Sequence, residues 1–305
     1  VVGPKGRVIG IDMTDDMLEV ARRNAPLVAE RIGFSNTEFC KGRIQDLRLD
    51  LEAFETAMRE LPAEKSGDFL AIHDLANELR TKQPLVADDS IDVVVSNCVL
   101  NLVEAEEKPA LFRELFRVLR KGGRAVISDI VSDEPVPQHL QDDPTLWSGC
   151  ISGALTEKGF LDAFEEAGFH GIELVKFESE PWQTVEGIEF RSVTVQAYKG
   201  KIGPCYEQGQ AVIYLGPYRQ VCDDDGHRYP RGERMAVCDK TFQLLQSGPY
   251  AKDFAFISPA EPERFAEEQP FACKTDARRH PRETKGGEGG SGRVDVAECR
   301  DGQCC

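Results

Sequence analysis

Apolar positions in the first two hundred residues alternate between two patterns, short β-branched runs and stretches with a helical repeat. "GRVIGID" is a short apolar run closed by an acid. "TDDMLEVARRNA" follows it with Thr14 at an N-cap position, acids in the first turn, and Met17, Leu18 and Ala21 at helical spacing. Asn24 and Pro26 then predict a second helical segment, "PLVAERIGF", because proline is tolerated in a first turn and not in a helix interior. "TEFCKGRIQDL" predicts a strand and its exit loop. Residues 49–83 predict a charged helical insertion broken at Pro62 and Gly67. "IDVVVSNCVLNLV" is an apolar run, "KPALFRELFRVLRKGG" a helix stopped by glycine, and "RAVISDIV" another run. After a loop, "TEKGFLDAFEEAGF" predicts a helix, and "GIELVKFES" and "RSVTVQAYKG" predict closing strands.

Strands alternating with helices imply βαβ units, hence an α/β fold with a parallel sheet covered on both faces and ligands at the carboxyl ends of its strands. From residue 201 the chain reads as strands and turns without a strong helical period, which predicts a small β-rich or α+β domain over 201–259. Residues 260–305 are rich in Glu, Gly, Pro and Arg and predict a disordered tail ending in Cys299, Cys304 and Cys305. No internal repeat is present.

At 305 residues and 41% hydrophobic, the chain can bury more than one core. Its 53 Asp and Glu outnumber 37 Lys and Arg, a net charge of −16 that argues against nucleic-acid binding. No apolar run approaches the roughly 18 residues of a membrane span, and the first 25 residues do not read as a leader. The expectation is a soluble, cytoplasmic protein with no membrane partner. Ten cysteines are spread along the chain with no CxxC pair, so a zinc site of the usual spacing has little support.

Several residues could carry chemistry. Asp12, at a strand end, could accept both hydroxyls of a ribose or cap a helix. Arg43 and Ile44, with Asp46 nearby, could flank an adenine or form a turn. Asn97 and Cys98 end a central strand where a ligand would sit, although a cysteine there is more often a small buried hydrophobe. Cys150 stands in the small-residue stretch "WSGCISGAL".

"GRVIGIDMTDDMLEVARRNA", "DDSIDVVVSNCVLNLV", "LFRVLRKGGRAVISDIVSDEPVP", "LWSGCISGAL" and "RSVTVQAYKG", in that order, resemble the arsenite methyltransferases, class I Rossmann-like enzymes that use S-adenosylmethionine. The resemblance covers residues 1–200 and continues more weakly to 258. It implies a cofactor domain over 1–130, an arsenic-binding region and closing strands over 131–200, and methyl transfer from S-adenosylmethionine to trivalent arsenic held by thiolates. Trivalent arsenic is soft and thiophilic, and thiolate coordination leaves it a lone pair that can attack a sulfonium methyl without a general base. The resemblance makes Asp12 the ribose acid, Met13 a pocket wall, Arg43 and Ile44 the adenine neighbours, Asn97 a cofactor-side residue and Cys150 an arsenic thiolate. Gly149 and Gly153 would give a bulky adduct room. Glutathione or thioredoxin would be the reductant.

The chain departs from the family's pattern in two respects. "VVGPKGRVIGID" begins after the family's first strand, glycine-rich turn and first arsenic cysteine, which implies an exposed sheet interior. Where the family's third cysteine falls, this chain has Ile188 or its neighbours, and Cys205, Cys222 or Cys238 could substitute. Two other readings stay open: a class I methyltransferase of a small organic acceptor, and a catalytically impaired arsenic- or metal-binding relative.

Overall fold

A computed structural model describes residues 2–60, 66–200, 203–265, 269–273 and 277–286. They fall into two compact units, residues 1–200 and 201–305. The first unit runs β1 (Val8–Asp12), α1 (Asp15–Ile32), β2 (Thr37–Lys41), α2 (Leu51–Met58), α3 (Ser66–Lys82), β3 (Ile91–Asn97), α4 (Lys108–Val118) and β4 (Leu119–Ser132). It continues with α5 (Gln138–Gln141), α6 (Pro144–Ser148), β5 (Leu155–Thr156), α7 (Glu157–Glu166), β6 (His170–Phe177), β7 (Gln183–Val185) and β8 (Ile188–Tyr198).

The main sheet has the strand order β3-β4-β8-β6, with β5 on β4 and β7 on β8. β3 and β4 are parallel, as the βαβ pattern predicts, whereas the closing strand β8 runs antiparallel to β4 and β6, so the sheet is mixed. The core lies between this sheet and α4 and α7. Leu111, Phe112 and Leu115, spaced by one helical turn, meet Phe160 and Phe164 over Ala125, Ile127, Val193 and Val195. The Phe112 and Phe164 rings pack edge-on with centroids 4.9 Å apart.

β1 and β2 form a separate parallel pair. Among the described residues β3 has β4 as its ladder partner, so the apolar run expected to be covered on both faces leaves Val93 and Val95 exposed, Val95 at 72%. The two sheets are linked instead through side chains: Ile11 of β1 packs with Ile91 and Val94 of β3 around Leu47, Val86 and Val118.

Three boundaries differ from the sequence reading. Pro26 lies inside one continuous α1, which stops at Gly33, in left-handed geometry with its N–H on the Ala29 carbonyl. The missing proline N–H forfeits one helical bond, and Arg22, one turn before it, is anchored to the Phe39 carbonyl and Glu52. Gly67 lies within α3 rather than breaking the insertion, while Pro62 lies outside the described residues. α4 ends before its expected glycine stop because Leu119 pairs with Ile91. Gly122 and Gly123 instead sit in a register jump inside β4, from Leu119 opposite Ile91 to Arg124 opposite Val93. No described helix is long and apolar enough to cross a membrane.

The second unit contains β9 (Ala211–Tyr214), β10 (Gln220–Cys222), β11 (Arg228–Pro230), β12 (Arg234–Ala236), α8 (Asp239–Leu245), β13 (Phe254–Ile257) and α9 (Pro281–Thr284). β12, β9 and β13 form an antiparallel sheet over a core of its own, with Tyr229, Met235, Leu245 and Phe254. Part of the stretch expected as a disordered tail is ordered. Residues Pro262–Phe265 form a helical turn, Arg278 bridges to Met235, and Thr284 is buried with its hydroxyl oxygen accepting from the Arg234 guanidinium. The tail cysteines lie outside the described residues.

Candidate active site

β1 and β3, each parallel to its own ladder partner, end in Asp12 and Asn97, and the carboxyl ends of such strands are where α/β sheets take ligands. Asp12 is half-buried, and its Oδ1 accepts the Thr14 N–H at 2.8 Å. Thr14 occupies the N-cap position of α1 without a side-chain cap bond, so Asp12 shapes the helix entry. Its other oxygen has no donor among the described residues. Met13 is 60% exposed and Asn97 is exposed.

Arg43 and Ile44 form the tight turn their sequence allows, with Arg43 bridged to Asp46. The Arg43 guanidinium pairs with Glu107 at 2.7 Å through one terminal nitrogen, while its buried Nε lacks a partner. Ile44 packs against the main core. An open carboxylate oxygen and an unsatisfied guanidinium nitrogen are the chemistry a ribose diol and a purine would meet, so these residues fit a nucleoside-type cofactor.

The thiols converge on the same edge of the sheet. Cys98 follows β3 directly and is exposed, contrary to the expectation of a buried hydrophobe, because its φ of 53° turns the chain out of the strand. Cys150 follows α6, a single turn capped by Asp143, whose carboxylate accepts the Thr145 and Leu146 N–H groups. Its φ of 60° is also left-handed, a strained conformation for a residue with a Cβ. The Cys150 Sγ–H donates to the Cys98 carbonyl at 3.7 Å.

Buried polar groups hold the two cysteine loops together. Asp129, inside apolar β4, is 1% exposed and accepts the Leu100 and Ile130 N–H groups. Asn101 donates to the Ile130 carbonyl at 2.7 Å and to the Cys150 carbonyl at 2.9 Å. Lys108 places its ammonium on the Leu100 and Val103 carbonyls. Burial raises the Asp129 carboxyl and pushes Lys108 down to about 8. Burial, then the Asp129 charge, raise both thiols, and Cys98 adds to the effect on Cys150.

The two glycines near Cys150 differ in role. At Gly153 an added Cβ would lie 2.0 Å from the Asn101 carbonyl oxygen, so this glycine serves backbone packing between the two loops rather than room for an adduct. Gly149 has ordinary space around it. Ile188, where a third thiol was expected, is 7% exposed in an apolar cluster with Ile130, Ile151 and Phe190, against which Cys150 packs. Of the proposed substitutes, Cys222 is exposed on β10, while Cys205 and Cys238 meet Cys273 in the second unit.

Sequence reasoning missed the importance of Asp129, Asn101, Lys108 and Cys273. The acid within "VISDIV" was a signal for the first of these. Nothing local marks the others.

Residues 1–168 match the family model described as a methyltransferase domain, and residues 201–289 match one described as a domain of unknown function, DUF8838. The arsenite methyltransferase of Aquipseudomonas alcaligenes is 32% identical over 271 residues, covering 84% of this chain and 67% of that protein. The arsenite methyltransferase of Mus musculus is 28% identical over 269 residues, covering 84% of this chain and 61% of that protein. The crystal structure of an arsenic(III) S-adenosylmethionine methyltransferase from Chlamydomonas reinhardtii aligns with a TM-score of 0.53 at 26% identity, over 88% of this chain and 81% of that one. A mixed class I sheet, a carboxylate at the end of β1 and two facing cysteine loops after β3 and α6 agree with these matches: the chain belongs to the arsenite methyltransferase family of S-adenosylmethionine-dependent enzymes.

Proposed function

We propose that this chain methylates trivalent arsenic, with Cys150 and Cys98 holding the substrate as thiolates. The observation that carries the reading is the approach of the Cys150 sulfur to the Cys98 backbone at the carboxyl edge of the sheet, 3.7 Å from its carbonyl oxygen. Asp12 and Arg43 would hold the ribose and adenine of S-adenosylmethionine, which when bound supplies an electrophilic methyl on a sulfonium sulfur. Cys150 and Cys98 would fix the arsenic, so that its lone pair keeps one direction. The attacking pair carries no proton, so positioning replaces acid–base catalysis, an effect that reaches roughly 7–11 kcal/mol in well-oriented systems.

Attack by the lone pair takes arsenic from the trivalent to the pentavalent state. Each return to trivalent arsenic therefore needs two electrons, and a thiol reductant such as glutathione or thioredoxin supplies them in this reading. The free thiols at the described cysteines are what a reducing compartment such as the cytoplasm maintains. The biological outcome would be arsenic detoxification.

The test is methyl transfer from labelled S-adenosylmethionine to arsenite. Cys150→Ser is expected to abolish transfer while cofactor affinity is kept. Asp12→Ala is expected to weaken cofactor binding by about 1.5–3 kcal/mol and leave arsenite binding unchanged, the range for hydrogen bonds to a charged group. Transfer at the parent rate by Cys150→Ser would sink the arsenic-site assignment, and an unchanged cofactor affinity would return Asp12 to its helix-entry role.

A further inference from the structure

Three cysteines separated by tens of residues meet in the second unit. The sulfurs of Cys205, Cys238 and Cys273 all lie within 4.8 Å of one another, and none is in a disulfide. Contacts that do not involve sulfur join the segments that carry them. The Phe271 N–H bonds to the Cys205 carbonyl at 2.9 Å, Tyr206 bridges to Pro270, and Asp239 and Tyr206 exchange two hydrogen bonds at 3.0 Å. His227 is oriented by Asp223 at 2.8 Å. The three segments are thus joined by contacts other than sulfur, and the Cys238 Sγ also caps α8.

The three thiols differ in their surroundings. Cys238 is 1% exposed, and its Sγ accepts the Thr241 N–H at 3.4 Å. Burial works to raise Cys205, but hydrogen bonds from Cys273 and Cys238 and the Lys240 ammonium hold it below the usual thiol range, while burial raises Cys273. A cavity bounded by His227, Tyr229, Met235, Thr241 and Phe271 opens onto Cys238.

We propose that Cys205, Cys238 and Cys273 form a second, three-thiolate site that captures a soft thiophilic ion, arsenic(III) foremost. Soft sulfur donors select soft ions. A closed structural zinc site takes four protein ligands, and no fourth Cys, His, Asp or Glu atom joins this cluster among the described residues. Three donors match the three bonds of trivalent arsenic. With arsenous acid the capture balances without redox change: three As–S bonds form, three As–O and three S–H bonds break, and the thiol protons leave with the hydroxides as three waters. The choice of arsenic over another soft ion rests on the proposed function; the three-thiolate site does not.

The experiment uses the full chain carrying Cys98→Ser, Cys150→Ser and serines at the three tail cysteines. Arsenite is titrated in, followed by sulfur-to-arsenic ultraviolet absorbance and arsenic X-ray absorption. One equivalent bound by three sulfurs is expected. Adding Cys205→Ser or Cys273→Ser, both half-buried positions, should reduce the sulfur count to two and weaken binding at least tenfold, with an unchanged thermal melt in the absence of arsenite. Adding Cys222→Ser should change nothing. A parent signal from fewer than three sulfurs, or equal losses from Cys222→Ser, overturns the site. In a parallel arm with zinc chloride, zinc held in preference to arsenite by the same three thiols keeps the site but overturns arsenic as its ion. Methyl transfer is measured on the chain with Cys98 and Cys150 intact, so failure of the proposed function is read separately.

Discussion

Lys108 shows how far a single residue's chemistry depends on its burial. Its side chain is 4% exposed, and burial pushes its ammonium down to about 8, against about 10.4 in an unfolded chain. Below pH 8 both states are protonated and the folded state bears the full cost of the buried charge. Between about 8 and 10.4 the unfolded state holds a proton the folded state has lost, so stability rises with pH. Relative to Lys108→Met, the parent is therefore expected to gain up to about 1.4 kcal/mol per pH unit across that window in urea unfolding. A flat difference would mean that the Leu100 and Val103 carbonyls and the Asp129 charge hold the proton against desolvation. The two facing cysteines carry the same lesson: Cys98 was legible at the end of an apolar run and Cys150 in a small-residue stretch, but their facing loops and strained φ angles were not, because Asp129 and Asn101 reach them from β4 and from the turn after β3.

At the scale of elements, α1 departs furthest from local rules. The helix passes through Pro26, which has no N–H for the Arg22 carbonyl and whose ring crowds it. Residues on this face are largely exposed, so Pro26→Ala is expected to stabilise the first unit by about 1–3 kcal/mol, up to the penalty of an interior proline, measured as a shift of the denaturant midpoint at constant slope. A neutral or negative effect would show that the helix is already bent to relieve the clash. Most elements were readable from periodicity, since Leu111, Phe112 and Leu115 or Phe160 and Phe164 recur at helical spacing. Their ends were not, because α4 stops where Leu119 finds a strand partner in Ile91, a choice made by residues far away in sequence.

At the scale of the whole molecule, the two units have separate cores with no residue in common, one around Phe112 and Phe164 and one around Tyr229 and Phe254. Both tryptophans, Trp147 and Trp182, belong to the first unit. Phe254→Ala is therefore expected to cost the second unit about 3–5 kcal/mol, lowering a calorimetric transition while the tryptophan-fluorescence transition stays in place. A joint shift of both signals would show that the units unfold as one.

The sequence alone determined the α/β class, the order of strands and helices, the change of texture near residue 201 and the family, because hydrophobic period and ordered motifs are local properties of a chain. It also placed Asp12 and Asn97 at strand ends and Cys150 in a small-residue stretch. Tertiary structure decided the direction of β8, the exposure of Val95 and Cys98, the packing role of Gly153 and the meeting of Cys205, Cys238 and Cys273. These depend on which distant backbones lie against one another, and no spacing along a single chain encodes that.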